Sequence, residues 1–288
     1  MDGDPRPILV VNADDYGLTE GVSRAILDAA TDGVVTSTSV IALGPGFAAS
    51  APWLAATAGV GAGAHLAAVG EDPPLLSAAE IPTLVDRRGR LWLSWRQFLP
   101  RAAAGRINPD DLRREFTAQM EAITGAGLKV DHLDTHQNLH LWPSVRDVVM
   151  DVGDAAGVRV VRVTRSTARG PVGIVVRRLA TDLETRADTA GWRYPTASTG
   201  LDEAGGLDTP SMVAAMGSLK AQLPGGVGSA ELATHPGRLS DAERARYRWN
   251  YAWEQELEAL CSPQVRAAVD DLGFRLGTFA DVAATGPR

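Results

Sequence analysis

The chain spends its histidines in few places. All five, His65, His132, His136, His140 and His235, fall where short apolar runs end. Asn12-Ala-Asp14-Asp15-Tyr16-Gly17 follows ILVV directly, and His65 closes VGAGAHL. Thr234-His235-Pro236-Gly237 ends another run, and His132-x-Asp134-x-His136-x-Asn138-x-His140 alternates by two. Each piece has an ordinary alternative. Adjacent Asp14 and Asp15 could cap a helix, whose positive end favours acids, and a lone His65 or His235 is commonly a satisfied core or loop residue. The alternating run resists that reading. Residues two apart on a strand share a face, so His132, Asp134 and His136 would lie together if the strand persists. Their neighbours Leu133, Leu139, Leu141 and Trp142 suggest burial, and buried polar groups need partners or a metal.

One Asp and two His make a three-ligand divalent-metal site with a position left for water or substrate. Such a set suits Zn²⁺, and a site that keeps several waters could hold Mg²⁺. Two neighbouring Asp residues allow one to bind metal while the other takes a proton from the attacking water. A His on the leaving-group side can return a proton near neutral pH. The reaction class is metal-assisted hydrolysis. Spacing alone leaves amide, ester and phosphoester open.

The elements that must position these residues alternate between strand and helix. Strands are expected at 8–12, 34–43, 60–66, 129–136, 158–163, 229–235 and 274–279, with a weak extended piece at 192–198. Helices are expected from Thr19 to Asp32, at 47–58, from Asn108-Pro109 onward, at 143–156, near 172–190 and from Pro210 to Leu223. Ser240-Asp-Ala-Glu243 spells a capping box for a further long helix. On such a helix Tyr247, Trp249, Tyr251 and Trp253 would spread around the axis and could not all face one sugar. The stretch 67–107 reads as an irregular insertion. No linker or repeat divides the chain, so 1–288 is expected to be a single catalytic domain. About seven strands separated by helices argue for an α/β parallel sheet with right-handed crossovers, open or barrel-like, and chemistry at the C-terminal strand ends.

Composition removes several classes. The chain has 288 residues, 28 Lys+Arg against 35 Asp+Glu, a net charge of −7 and a single cysteine, Cys261. That excludes an intrachain disulfide and a cysteine-cluster zinc site. A mildly acidic chain without a basic stripe is a poor nucleic-acid binder. No apolar run is long enough for a membrane span. The acidic opening MDGDPRPILVVNADD lacks a signal peptide's basic and hydrophobic regions, so a cytoplasmic protein is expected, with a homodimer as its expected assembly. No GxGxxG, Walker-type or GxSxG spelling occurs.

With these motifs side by side, the chain resembles the YdjC-like carbohydrate deacetylase family, the group that includes chitooligosaccharide and hopanoid-glycolipid deacetylases. Asn12-Ala-Asp-Asp-Tyr-Gly-Leu-Thr-Glu-Gly-Val22, Val34-Val-Thr-Ser-Thr-Ser39, Gly63-Ala-His65-Leu, His132-Leu-Asp-Thr-His-Gln137 and His235-Pro-Gly237 carry the resemblance, which spans nearly the whole chain. It implies a deformed (β/α) TIM-like barrel of about seven strands, polysaccharide-deacetylase-like, and removal of an N-acetyl group from an amino sugar. It implies one divalent metal ion, Zn²⁺ or Mg²⁺, held by Asp15, His65 and His136. Asp14 is implied as the general base, His235 as the acid or oxyanion-side residue, Asp134 as a supporting carboxylate and Arg162 as the charge partner of Asp14. Tyr16, Asn138 and Trp142 are expected to touch substrate. The family usually has His where this chain has Asn138, and Leu-Asn-Leu where it has Leu66-Ala67-Ala68. The second change removes a polar side chain beside the implied metal. The substrate therefore stays open among an oligosaccharide, a glycolipid and a sugar-containing natural product. The competing readings are a deacylase or esterase acting on another amide or ester, and a non-catalytic sugar-binding relic.

Overall fold

The protein is described by a computed structural model covering residues 4–238 and 240–284. Seven strands are present among them: β1 (Ile8–Tyr16), β2 (Ser37–Val40), β3 (Gly61–Leu66), β4 (Val130–Thr135), β5 (Ala197–Thr199), β6 (Ser229–Thr234) and β7 (Arg275–Leu276). The helices are α1 (Glu20–Thr31), α2 (Phe47–Ala55), α3 (Trp95–Ala103), α4 (Pro109–Gly125), α5 (Pro143–Ala156), α6 (Pro171–Ala190), α7 (Thr209–Gln222), α8 (Trp253–Leu260), α9 (Pro263–Asp271) and α10 (Phe279–Ala284). The strands form one sheet in the order β4-β3-β2-β1-β6-β5, with β7 on the start of β1, and every strand pairing is parallel. Ile8 to Val11 are buried throughout, as a β-branched run covered on both faces should be.

The sheet curls until its edges approach. Leu133 of β4 bridges Val161, and Val160 bridges Arg193, which leads into β5. The result is a deformed α/β barrel, as expected. The run 158–163 is therefore not the regular strand its sequence suggested. Leu133 accepts from Arg162 N and donates to Val160 O, while Val161 N turns to Arg193 O, so the segment divides its hydrogen bonds between two neighbours.

Helix starts follow their sequence signals. Thr19 Oγ1 accepts from Val22 N at the head of α1, and Asn108 caps α4 with Pro109 in its first turn. Within 67–107 the chain makes the bridges Val69–Trp92 and Val85–Leu91 and then α3. Side chains of α4 fasten this segment: Glu115 accepts from Leu75 N and Leu76 N, Asp111 accepts from Thr83 N, and Gln119 pairs with both backbone groups of Ala67. Ala67 and Ala68 are themselves fully buried.

The long helix expected from Ser240 does not form. A short 3-10 turn (Glu243–Arg246) is capped by Asp241, whose Oδ1 accepts from Glu243 N and Arg244 N. An open strap follows to Ala252, and only then α8. Aromatic residues alternating by two favour extended backbone over helix. Among the described residues no helix is long and apolar enough to cross a membrane.

Candidate active site

Asp14 and Asp15 are adjacent, and on a regular strand they would point to opposite faces. The register between β1 and β2 shifts between Ala13 and Tyr16, with Ala13 opposite Thr38 and Tyr16 opposite Val40. Asp15 adopts φ 69° in this bulge, and both carboxylates line one cavity at the C-terminal ends of the strands. Gly17 follows at φ 95°, where a Cβ would meet Ile41 O at 2.8 Å, so the chain can leave the bulge only through glycine.

Asp15 Oδ1 lies 3.5 Å from His65 Nε2 and 3.4 Å from His136 Nδ1. It is enclosed and has no hydrogen-bond partner. Burial alone would raise this carboxyl's pKa, but the facing His136 and His65 outweigh it and hold it at about 2. His65 presents Nε2 to Asp15 because its Nδ1 is bonded to Asp134 Oδ1 at 2.9 Å. Burial pushes the His65 pKa down, yet Asp134, with Asp14 and Asp15 beyond it, raises it to about 9. A carboxylate behind a ligand imidazole is the usual support of a metal-binding histidine. An orphaned buried carboxylate oxygen between two imidazole nitrogens, with that support, fits a divalent cation. Asp14, His65 and Asp134 also converge, but the oxygens of Asp14 and Asp134 are already committed to other partners, so that set fits less well.

The chief competitor for those oxygens is Arg162. It donates to Asp14 Oδ2 at 2.7 Å and Oδ1 at 2.6 Å, reaches Asp134 Oδ2 at 2.8 Å, and donates from Nε to Glu231 Oε1 at 2.5 Å. One guanidinium thus serves three buried carboxylates, and despite its burial its own pKa is driven further up by Asp134, Asp14 and Glu231. Burial raises the Glu231 carboxyl, opposed by Arg162. Asp134 is held far below the usual carboxylate range, because Arg162 and His65 outweigh its burial. Asn12 and Ser39 complete the network. Asn12 Nδ2 donates to Asp14 Oδ1 and Ser39 Oγ, and Ser39 donates to Asp134 Oδ2 at 2.9 Å.

His136 follows directly after β4, where Gln137 and Asn138 both turn at positive φ. Gln137 Oε1 accepts from Trp95 N, and Asn138 Oδ1 accepts from Thr164 Oγ1 at 2.6 Å. These bonds tie α3 and the 164 region to the cavity rim. His235 lines the cavity with Nε2 3.7 Å from Asp14 Oδ2, and its backbone N–H donates to buried Glu256. The cavity measures about 310 Å³.

Two residues expected to touch substrate do not line this cavity. Tyr16 is fully buried and donates its hydroxyl to Ser50 O at 2.7 Å, because β1 continues through the motif and carries this ring into the core. Trp142 lines a neighbouring groove and not the cavity, whereas Asn138 lines both. His132 and His140 are structural in setting. His132 stacks on Phe279 between Asp131 and Ser39. Its ring lies so near Gly63 that a Cβ there would come within 2.2 Å of it. His140 is bonded to Thr135, and burial lowers its pKa to about 4.

Sequence reasoning missed several contributors. Glu231 sits between Ala230 and Leu232 in a buried strand, and a charge at such a position was the available signal. Trp249 and Tyr251 both line the cavity, with Trp249 5.1 Å from His136 and Tyr251 4.9 Å from His235 between ring centroids. The alternation of Tyr247, Trp249 and Tyr251 on the open strap, with Trp253 at the start of α8, gathers the four rings into one tilted and edge-on cluster, with neighbours 5.2–5.7 Å between centroids. Period two was the signal, and the assumption of a helix concealed it.

A curled parallel sheet with a His/Asp cluster at its C-terminal mouth defines a hydrolase-type α/β barrel. The family model described as YdjC-like protein matches residues 8–271, and the chain belongs to the YdjC-like family. A chitooligosaccharide deacetylase of Serratia marcescens is 29% identical over 280 residues, covering 96% of this chain and 99% of that protein. A carbohydrate deacetylase 1 of Listeria innocua is 32% identical over 154 residues, 54% of this chain and 60% of that one. A crystal structure from Enterococcus faecalis V583, described as a candidate cellobiose-phosphate cleavage protein, superposes with a TM-score of 0.78 at 22% identity, covering 96% of this chain and 98% of that one.

Proposed function

We propose that the protein is a metal-dependent hydrolase that removes the acetyl group from an acetamido sugar. The observation that carries this is the pairing of an unsatisfied Asp15 oxygen, facing two imidazole nitrogens, with an Arg162-held Asp14 in the same cavity. The deacetylase relatives point to the substrate class. The whole barrel, residues 1–288, would act as one catalytic domain, its terminal residues and residue 239 lying outside the described ones.

Asp15, His65 and His136 would hold the cation. When bound, a divalent cation would polarise the amide carbonyl and lower the pKa of water to about 7. Asp14, fixed by Arg162 and Asn12, accepts the proton of the attacking water. His235, with Nε2 3.7 Å from Asp14 Oδ2, delivers a proton to the departing amine, so that water and amide become acetate and a free amino sugar. Asp134 orients His65 through Nδ1. Trp249 and Tyr251 offer ring faces to a sugar, and Asn138 a polar edge at the rim.

Acetate release from a panel of N-acetyl sugars and simple esters, with the protein loaded with Zn²⁺ or Mg²⁺, tests the reading. Acetate from acetamido sugars is expected. Ester cleavage with none from acetamido sugars would overturn it in favour of an esterase.

A further inference from the structure

Beside the catalytic cavity runs a second, larger concavity of about 590 Å³ with a different chemistry. One wall is the turn after β4, with Leu141 and Trp142. The other is the first half of α6, where Val172, Val175 and Leu179 recur at helical spacing. Its lining is almost entirely apolar, yet it stands open: Val172 is 62% exposed and Val175 52%. Apolar surface gathered into an open groove marks a binding site more often than scattered exposed residues do.

Its position selects the occupant. Trp95, Gln137, Asn138 and Leu201 line both this groove and the catalytic cavity, so the two spaces meet. Gln137 and Asn138, one and two residues beyond His136, form the junction. A molecule whose polar end lies against Asp14 and His136 therefore extends its other end along Trp142 and Val175. We infer that the groove is a subsite for a hydrophobic aglycone, an alkyl or acyl group carried by the amino sugar. This rests on the deacetylase reading for the polar end alone.

The test uses the metal-loaded protein and two measurements. The first is calorimetric binding of octyl β-glucoside, below its micelle concentration, against methyl β-glucoside. Neither has an acetyl group, so this readout is independent of deacetylation. Each buried methylene multiplies affinity roughly fourfold, so octyl binding at least about tenfold tighter is expected. Val175→Asp, on a half-exposed helical position, should remove most of that gap and leave methyl glucoside unaffected. The second is acetate release from the octyl and methyl glycosides of N-acetylglucosamine, where the octyl form should show the lower KM and lose that advantage in Val175→Asp. Equal affinities, or a gap that Val175→Asp leaves intact, would overturn the subsite. So would a dimer in sedimentation velocity that Val175→Asp splits, since a second copy would then occupy the groove. An octyl preference erased by Val175→Asp, with no acetate from either glycoside, would uphold the subsite and remove the deacetylase reading instead.

Discussion

Arg162 binds Asp14 with both terminal nitrogens, at 2.7 and 2.6 Å, while the neighbouring Asp15 has no ion pair with it and keeps Oδ1 without a hydrogen bond, facing His65 and His136 at 3.5 and 3.4 Å. Two carboxylates adjacent in the chain are thereby given opposite situations. One is held by a cation belonging to the protein, and the other is left for a cation from outside.

Arg162 is the only guanidinium contacting Asp14, Asp134 and Glu231 among the described residues. Arg162→Met would strand these carboxylates in the interior. Breaking a buried ion pair by removing one partner costs about 3–5 kcal/mol. Urea unfolding should show a loss of that order, and Glu231→Gln in the same background should recover part of it. A midpoint unchanged from wild type would contradict the network.

Asp134→Asn keeps the shape of the bond to His65 and removes its charge. Losing a carboxylate behind a metal-bound histidine typically costs about 10–100-fold in metal affinity. Competition with a chelator measures this directly, and equal affinity for the two proteins would show that Asp134 does not support the ligand.

In the metal-free protein the His65 pKa is raised from 6.5 to about 9. The stabilisation this brings is complete below pH 6.5 and fades as pH climbs through about 9. A cation must displace the same proton. Apparent metal affinity should therefore rise by up to about tenfold per pH unit between neutrality and pH 9, while the metal-free melting temperature falls. An affinity flat over that window would contradict His65 as a ligand.

Much of this site was legible because its residue types are costly to bury without reason. Histidines at or near strand ends and the Asp14-Asp15 pair pointed to a hydrolytic metal site before any fold was known, and the structure gathers His65, His136 and His235 with both aspartates while leaving His132 and His140 in packing roles. What stayed hidden was local backbone. A bulge carries no fixed spelling, so nothing announced that Asp15 would turn at positive φ and bring both carboxylates to one side, or that Tyr16 would continue into the core. The barrel closure through 158–163 depends on two isolated bridges, which no periodicity encodes. The aromatic strap was read with the wrong period: rings that would scatter on one long helix cluster where Tyr247, Trp249 and Tyr251 sit on open chain and Trp253 begins α8. Glu231 was passed over because a lone acid in an apolar run looks like surface until its guanidinium partner is seen.

The division of labour between the adjacent aspartates is the central claim, and metal content tests it most directly. Asp14→Asn and Asp15→Asn should be purified side by side, loaded with Zn²⁺, dialysed and analysed for metal per chain by mass spectrometry. Asp14→Asn is expected to retain the ion of the wild type and to lose roughly 10²–10⁴-fold in acetate release, whereas Asp15→Asn loses the ion itself. Retention of metal by Asp15→Asn together with its loss from Asp14→Asn would show the two roles reversed and contradict the account.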